Sequence, residues 1–246
     1  MIRRFLRALG NALLVAGVAL MVDAGLTVAW QEPFSAAYAH FVQGGLNGDL
    51  DELSAAGPGA GDVAALAALS ERDQKIAYLA RSIRRQVPKG QPIARISIPK
   101  LKLGRAVVDG TDTASLRKGP GLIESTDLPG LGGTTAIAGH RTTYGAPFHS
   151  IDRLKKGDRI FVGTPYGRFE YVVNRQRIVK PTDVWVLERI GRERLVLSAC
   201  HPLYSAAERI IVFAEFVKYR PPSKGKWASV LSAKTGSLAA TPQATP

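Results

Sequence analysis

The sequence predicts a mainly β protein: a closed barrel of about eight strands with short helices, preceded by an N-terminal transmembrane helix and a helical stalk. Three observations carry this. From Pro92 onward, short runs rich in Val, Ile, Phe and Tyr are separated by Gly, Pro and Asp. Residues 31–91 are instead Ala-rich and partly of helical period, and residues 8–30 form an apolar stretch of the length a bilayer requires.

In chain order, Arg3, Arg4 and Arg7 precede the apolar stretch, which is interrupted mainly by Asn11 and Asp23. Arginines before the span and none inside it predict a cytoplasmic N-terminus and export of everything after Trp30. Asp23 opposes insertion by about 2.5–3.5 kcal/mol at the centre of a span, and by less near the outer interface, where it falls here. A cleaved signal peptide is the competing reading, since Ala37-Tyr38-Ala39 imitates a cleavage site. That site lies well beyond the most apolar run, residues 12–22, which favours an uncleaved anchor. Both readings export the remainder.

Residues 31–91 contain a break at Gly57-Pro58-Gly59, followed by Leu66, Leu69, Ile76, Tyr78, Leu79 and Ile83 mostly at spacings near three and four. They read equally as an extracellular stalk that lifts the next domain off the membrane or as a helix packed on it. Strands are expected at 92–101, 104–108, 134–138, 158–162, 168–179, 194–200 and 209–217, with short helices at 113–118 and 148–154. The barrel is therefore placed at 92–220. Residues 221–246, rich in Pro, Ser, Ala, Thr and Lys, carry too little apolar content to offset the entropy of ordering and are expected to be disordered.

The net charge of +13 would suit a nucleic-acid binder, but Lys and Arg are spread along the chain and no nucleic-acid module accompanies them. A general preference for anionic surfaces, such as wall polymers and acidic head groups, is the reading retained. The single cysteine, Cys200, rules out an intramolecular disulfide and a Cys-based metal cluster, so it acts as a thiol.

Three segments carry chemistry. Residues 134–138 are a small-residue strand that delivers His140 after Gly139, and residues 195–199 deliver Cys200 just before the stop at Pro202. Arg209 opens a strand nine residues after the cysteine, so Cys200 and Arg209 are expected on neighbouring antiparallel strands. Thiol, imidazole and guanidinium suffice for acyl transfer: a thiolate attacks a carbonyl, an imidazolium protonates the leaving amine, and a guanidinium stabilises the oxyanion. This chemistry needs no metal and no cofactor.

The order His, Cys, Arg, the segment Ala138-Gly139-His140-Arg141-Thr142-Thr143-Tyr144-Gly145-Ala146-Pro147-Phe148, and Cys200-His201-Pro202 followed by Arg209 resemble the sortases, closest to the class E enzymes of high-GC Gram-positive bacteria. The resemblance implies a sortase barrel with catalytic Cys200, His140 and Arg209. It implies cleavage of a Leu-Ala-x-Thr-Gly or Leu-Pro-x-Thr-Gly sorting signal between Thr and Gly, a thioacyl intermediate, and transfer to a cell-wall or pilin amine. Partners would be surface proteins bearing that signal. Thr142 and Tyr144, in the loop after His140, are candidates for the substrate groove. His201 is a further substrate-contact candidate, although neighbours on a strand point to opposite faces. Sortases usually carry Thr-Leu-x-Thr-Cys at the nucleophile, whereas this chain has Val196-Leu197-Ser198-Ala199-Cys200, so Ala199 lacks a hydroxyl at a position read as substrate-contacting.

Other cysteine enzymes fit less well. The Ser-His-Gly-Cys of the L,D-transpeptidases is absent, and a papain-like peptidase places its Cys before its His. The non-enzymatic alternative is a degenerate sortase-like wall-binding module.

Overall fold

The computed structural model describes residues 2–30 and 33–232. The apolar N-terminal run forms one helix, α1 (Ile2–Trp30). Its segment Ile2–Gly25 has mean hydropathy 1.9 and none of its most apolar window is buried in the protein. Among the described residues it is the one helix long and apolar enough to cross a membrane. At 1.5 Å per residue, its 29 residues exceed the ~30 Å hydrocarbon core.

Three helices follow: α2 (Pro33–Ala56), α3 (Ala60–Ala67) and α4 (Arg72–Gln86). Helices α2 and α4 pack on the barrel, and α3 packs on α4. Leu66 of α3 and Ile76, Leu79, Ala80 and Ile83 of α4 belong to the main core, which makes the 3–4 periodicity of this segment a docked face. On α2, the buried Gln43 amide accepts from Ala106 N at 2.8 Å and donates to Lys118 O at 2.9 Å, while Leu46 packs on Ala106 and Val108. Leu79 is fully buried. Leu79→Ala should therefore lower the unfolding free energy by about 2–5 kcal/mol in urea denaturation, the cost of a core cavity. A helix that merely spaced the barrel from a membrane would give almost no change.

The barrel comprises β1 (Pro92–Ile98), β2 (Leu103–Asp109), α5 (Thr113–Lys118), β3 (Gly121–Leu122), β4 (Thr134–Ala138), β5 (Arg159–Thr164), β6 (Gly167–Val179), β7 (Arg194–His201) and β8 (Glu208–Arg220). The strands close in the order β1-β2-β3-β4-β7-β8-β6-β5. Pairing is antiparallel except at β2/β3 and β4/β7. The strand expected at 92–101 ends at Ile98 because Pro99–Leu101 form a 3-10 turn closed by Lys102 at φ 49°. The helix expected at 148–154 is reduced to the 3-10 turn Ile151–Arg153.

A further helix, α6 (Lys226–Ser232), corrects the expectation of disorder for the whole of 221–246. Trp227 and Val230, three residues apart, are buried in the main core, so one short apolar face docks within a segment of polar average composition. The rest of that expectation, residues 233–246, lies outside the described residues.

Two apolar layers position the site. The barrel interior holds Leu195, Leu197, Ala199, Ile210, Val212 and Ala214. A second cluster, Ala136, Val179, Val186, Val196, Ile211 and Phe213, lies on the outer face of β4, β7 and β8. It is covered by the β6–β7 connection, whose 3-10 turn is Val184–Leu187. Buried Arg194 holds that connection in place, donating to Val186 O at 3.0 Å, Glu188 O at 2.8 Å and Thr134 Oγ1 at 3.0 Å.

Candidate active site

Strand register places the three candidate catalytic residues. β4 and β7 run parallel, with Ala138 opposite Ser198, and Gly139 N donates to Ser198 O at 3.0 Å one step further on. His140 and Cys200 thus leave the ends of adjacent strands at the same level. Cys200 is the direct partner of Arg209 across β7/β8. With strands about 4.7–4.9 Å apart, each flanking side chain is within reach of the thiol.

They also share a face. Leu195, Leu197 and Ala199 face the interior and Val196 the outer cluster, so alternation puts Cys200 outside. On β8, Ile210 and Val212 face inward and Ile211 and Phe213 outward, which carries Arg209 to the outer face. Gly139 faces inward: a Cβ there would lie 2.7 Å from the ring of Phe148, a core residue, so His140 faces out. Imidazole, thiol and guanidinium form a row over an apolar floor.

The local environments differ. Cys200 is a free, half-buried thiol. His140 is half-buried, and burial pushes its imidazole below the usual value. Its Nε2 is enclosed without a hydrogen-bond partner among the described residues. Tyr144 packs on it, ring centroids 5.1 Å apart, and the guanidinium of Arg117 lies 5.6 Å from the Tyr144 centroid. The loop turns tightly there, with Tyr144 at φ 51° and Ala146 at φ 39°. Arg209 Nη1 donates to Ala206 O and Glu208 O, both at 2.9 Å, and no carboxylate pairs with Arg209 among the described residues. Such an arginine is available to a developing oxyanion.

The remaining candidates fall in different places. Tyr144 is beside the row and Thr142 is half-buried in the same loop. Ala199, read from the sequence as a substrate-contact position, has its methyl 3% exposed in the barrel interior with Leu195 and Leu197. Alternation puts the residue before the nucleophile on the face opposite the thiol. His201 Nδ1 lies 3.0 Å from Arg141 Nη1. Arg141 is the residue that sequence reasoning passed over; its signal was its place directly after His140.

The sortase-domain family profile matches residues 96–217. Sortase E from Streptomyces avermitilis superposes with a TM-score of 0.51 and 31% identity, over 57% of this chain and 99% of that one. The chain belongs to the sortase family. Sortase E1 from Streptomyces coelicolor, solved with a tripeptide in its active site, superposes with a TM-score of 0.52 and 31% identity over 57% of this sortase and 96% of that chain. Among curated relatives, sortase D of Bacillus subtilis is 30% identical over 132 residues, 52% of this chain and 65% of that protein. Sortase SrtE1 of Streptomyces coelicolor is 29% identical over 160 residues, 58% and 45% of the respective lengths. The sortase described here thus spans about two thirds and under half of these two curated relatives.

Proposed function

We propose that the chain is a membrane-anchored cysteine transpeptidase that cleaves a Leu-Ala-x-Thr-Gly or Leu-Pro-x-Thr-Gly sorting signal between Thr and Gly. The observation that carries this is the row His140–Cys200–Arg209 on one face, with Cys200 and Arg209 directly paired. The Cys200 thiolate adds to the threonine carbonyl carbon, and charge collects on the carbonyl oxygen, where the guanidinium of Arg209 stabilises it. Collapse breaks the C–N bond, and the His140 imidazolium gives its proton to the departing glycine amine. An acceptor amine then adds to the thioester, His140 takes its proton, and the thiolate leaves. Thr142 and Tyr144 would border the substrate groove.

The acceptor would be a cell-wall precursor or pilin amine, and the donors surface proteins ending in the signal. Helix α1 would hold the enzyme in the membrane with its arginine-bearing end in the cytoplasm and the barrel outside. The alternative, a degenerate wall-binding module, draws on the two threonines of the usual motif that Val196 and Ala199 replace. Ala199 faces the barrel interior, which weakens that support.

The test incubates the full-length protein in detergent with a Leu-Ala-x-Thr-Gly peptide, in parallel with a Leu-Pro-x-Thr-Gly peptide, and a glycine amine. Mass spectrometry should find a thioacyl adduct on Cys200 and a transfer product cut after Thr. Failure with both peptides and with a set of related signals would favour the non-enzymatic alternative.

A further inference from the structure

Arg141 is almost completely buried, with 4% of its side chain exposed, directly after His140. Burying a guanidinium is costly unless its donors are met, and here they are. Nε donates to His149 O at 3.2 Å, Nη2 pairs with Asp152 Oδ1 at 3.0 Å, and Nη1 lies 3.0 Å from His201 Nδ1. The same Nη1 is 3.5 Å from Cys200 O, a weaker electrostatic contact at the long limit for a hydrogen bond. In return, His149 Nδ1 is 3.0 Å from Arg141 O, so the loop folds around the arginine from both sides.

These contacts join two parts of the site. His149, Asp152 and Arg141 belong to the segment that follows His140, whereas Cys200 and His201 end β7. Among the described residues, no other side-chain hydrogen bond connects the His140 loop to the end of the nucleophile's strand. Backbone pairing between β4 and β7 runs only as far as Gly139. Beyond it, Arg141 spans the point at which strand pairing ends and the reacting residues begin.

The chemistry of the contact fixes a tautomer. A guanidinium donates and never accepts, and it stays charged throughout the range in which an imidazole titrates. His201 Nδ1 must therefore present its lone pair, which leaves the hydrogen on Nε2. We infer that Arg141 is a positioning residue: it holds His201 as the neutral Nε2–H tautomer and fixes the end of β7, and so Cys200, against the His140 loop. The inference rests on the transpeptidase reading for its kinetic consequence but not for its tautomer. Lysine would supply a point charge with fewer donors and no fork, so it would meet fewer of these acceptors.

The test uses full-length protein in detergent, labelled with 15N-histidine, as wild type, Arg141→Met and Arg141→Lys, with His201→Gln to assign the His201 signal. Wild type should show His201 as a single Nε2–H tautomer, and Arg141→Met a mixture. In the peptide transfer assay, kcat should fall about 10- to 100-fold in Arg141→Met with KM changed less than about twofold, because geometry and not binding is lost. Arg141→Lys should recover part of that loss. If Arg141→Met does not fold, Arg141→Lys is read in both assays, and an unchanged tautomer with wild-type kcat overturns the proposal. So does a folded Arg141→Met that keeps either the wild-type tautomer or the wild-type kcat. Absence of transfer in wild type would count against the transpeptidase reading itself, and the tautomer measurement would still decide whether Arg141 holds His201.

Discussion

Cys200→Ala is expected to eliminate the thioacyl adduct and to lower transfer by roughly 10⁴-fold or more, with the fold retained. The size follows from the role proposed for the thiol: without it no covalent intermediate can form, and binding and oxyanion stabilisation alone leave only a small residue of rate. The fold survives because Cys200 is half-buried on the outer face, outside the interior core, and alanine keeps the Cβ that β7 presents there. Arg209→Ala should give a smaller loss, about 10²- to 10³-fold in kcat, as expected for one oxyanion donor. It should leave adduct formation slow but detectable. Intact-mass spectra and progress curves with the same peptide measure both, and near wild-type cleavage by Cys200→Ala would remove the thiol from the mechanism.

The strands that build the barrel were legible as short apolar and β-branched runs set off by Gly, Pro and Asp: the expected run at 134–138 coincides with β4, and that at 168–179 with β6 except for its first residue, Gly167. Gly121–Leu122, only two residues long, is too short to produce a period. The pairing of Cys200 with Arg209 could be anticipated, since a short loop between consecutive strands forces antiparallel neighbours. The parallel pairing of β4 with β7 could not. Their sequence separation of about sixty residues leaves no local signal, yet that pairing is what sets His140 level with Cys200. Orientation was legible only once register was known: Ala199, which entered through its place in the motif before the nucleophile, has its methyl packed with Leu195 and Leu197. The docking of α4 was an open alternative in the sequence, because an amphipathic period shows that a face is buried without saying against what. Arg141 illustrates the same limit: its partners lie eight, eleven and sixty residues away.

The N-terminal helices reach the site as well as the barrel wall. A Cβ on Gly145, at φ 71°, would come within 2.8 Å of the Ala39 Cβ on α2. Helix α2 thus supports the loop that presents Tyr144 to His140, in the segment that links α1 to the barrel. The tight turn and the methyl-sized neighbour together explain the small residues at both positions.

The second large effect concerns His140. His140→Ala should lower kcat/KM by about 10²- to 10⁴-fold, the contribution of a positioned acid and base. A pH signature should accompany it. Burial pushes the His140 imidazole below its ordinary value of about 6.5, so the ring of the free protein is neutral at physiological pH. Protonation of the leaving amine then needs an imidazolium formed with the proton the thiol gives up. The measurement is made in Cys200→Ala, where the histidine signal followed by NMR should have its midpoint below 6.5. The sign for stability follows from linkage. A folded-state value below the unfolded one means that the unfolded chain binds the proton first as pH falls. The stabilisation is therefore full above about 6.5 and is lost as pH drops through the folded value. In urea denaturation of Cys200→Ala with and without His140→Asn, the protein that keeps the histidine should lose additional stability across that window. A midpoint at or above 6.5, or identical pH dependence in the two proteins, would mean that the half-buried ring is solvated well enough to carry charge. The thiol would then face an imidazolium already formed, and the proton shared between Cys200 and His140 would no longer be a step of the reaction.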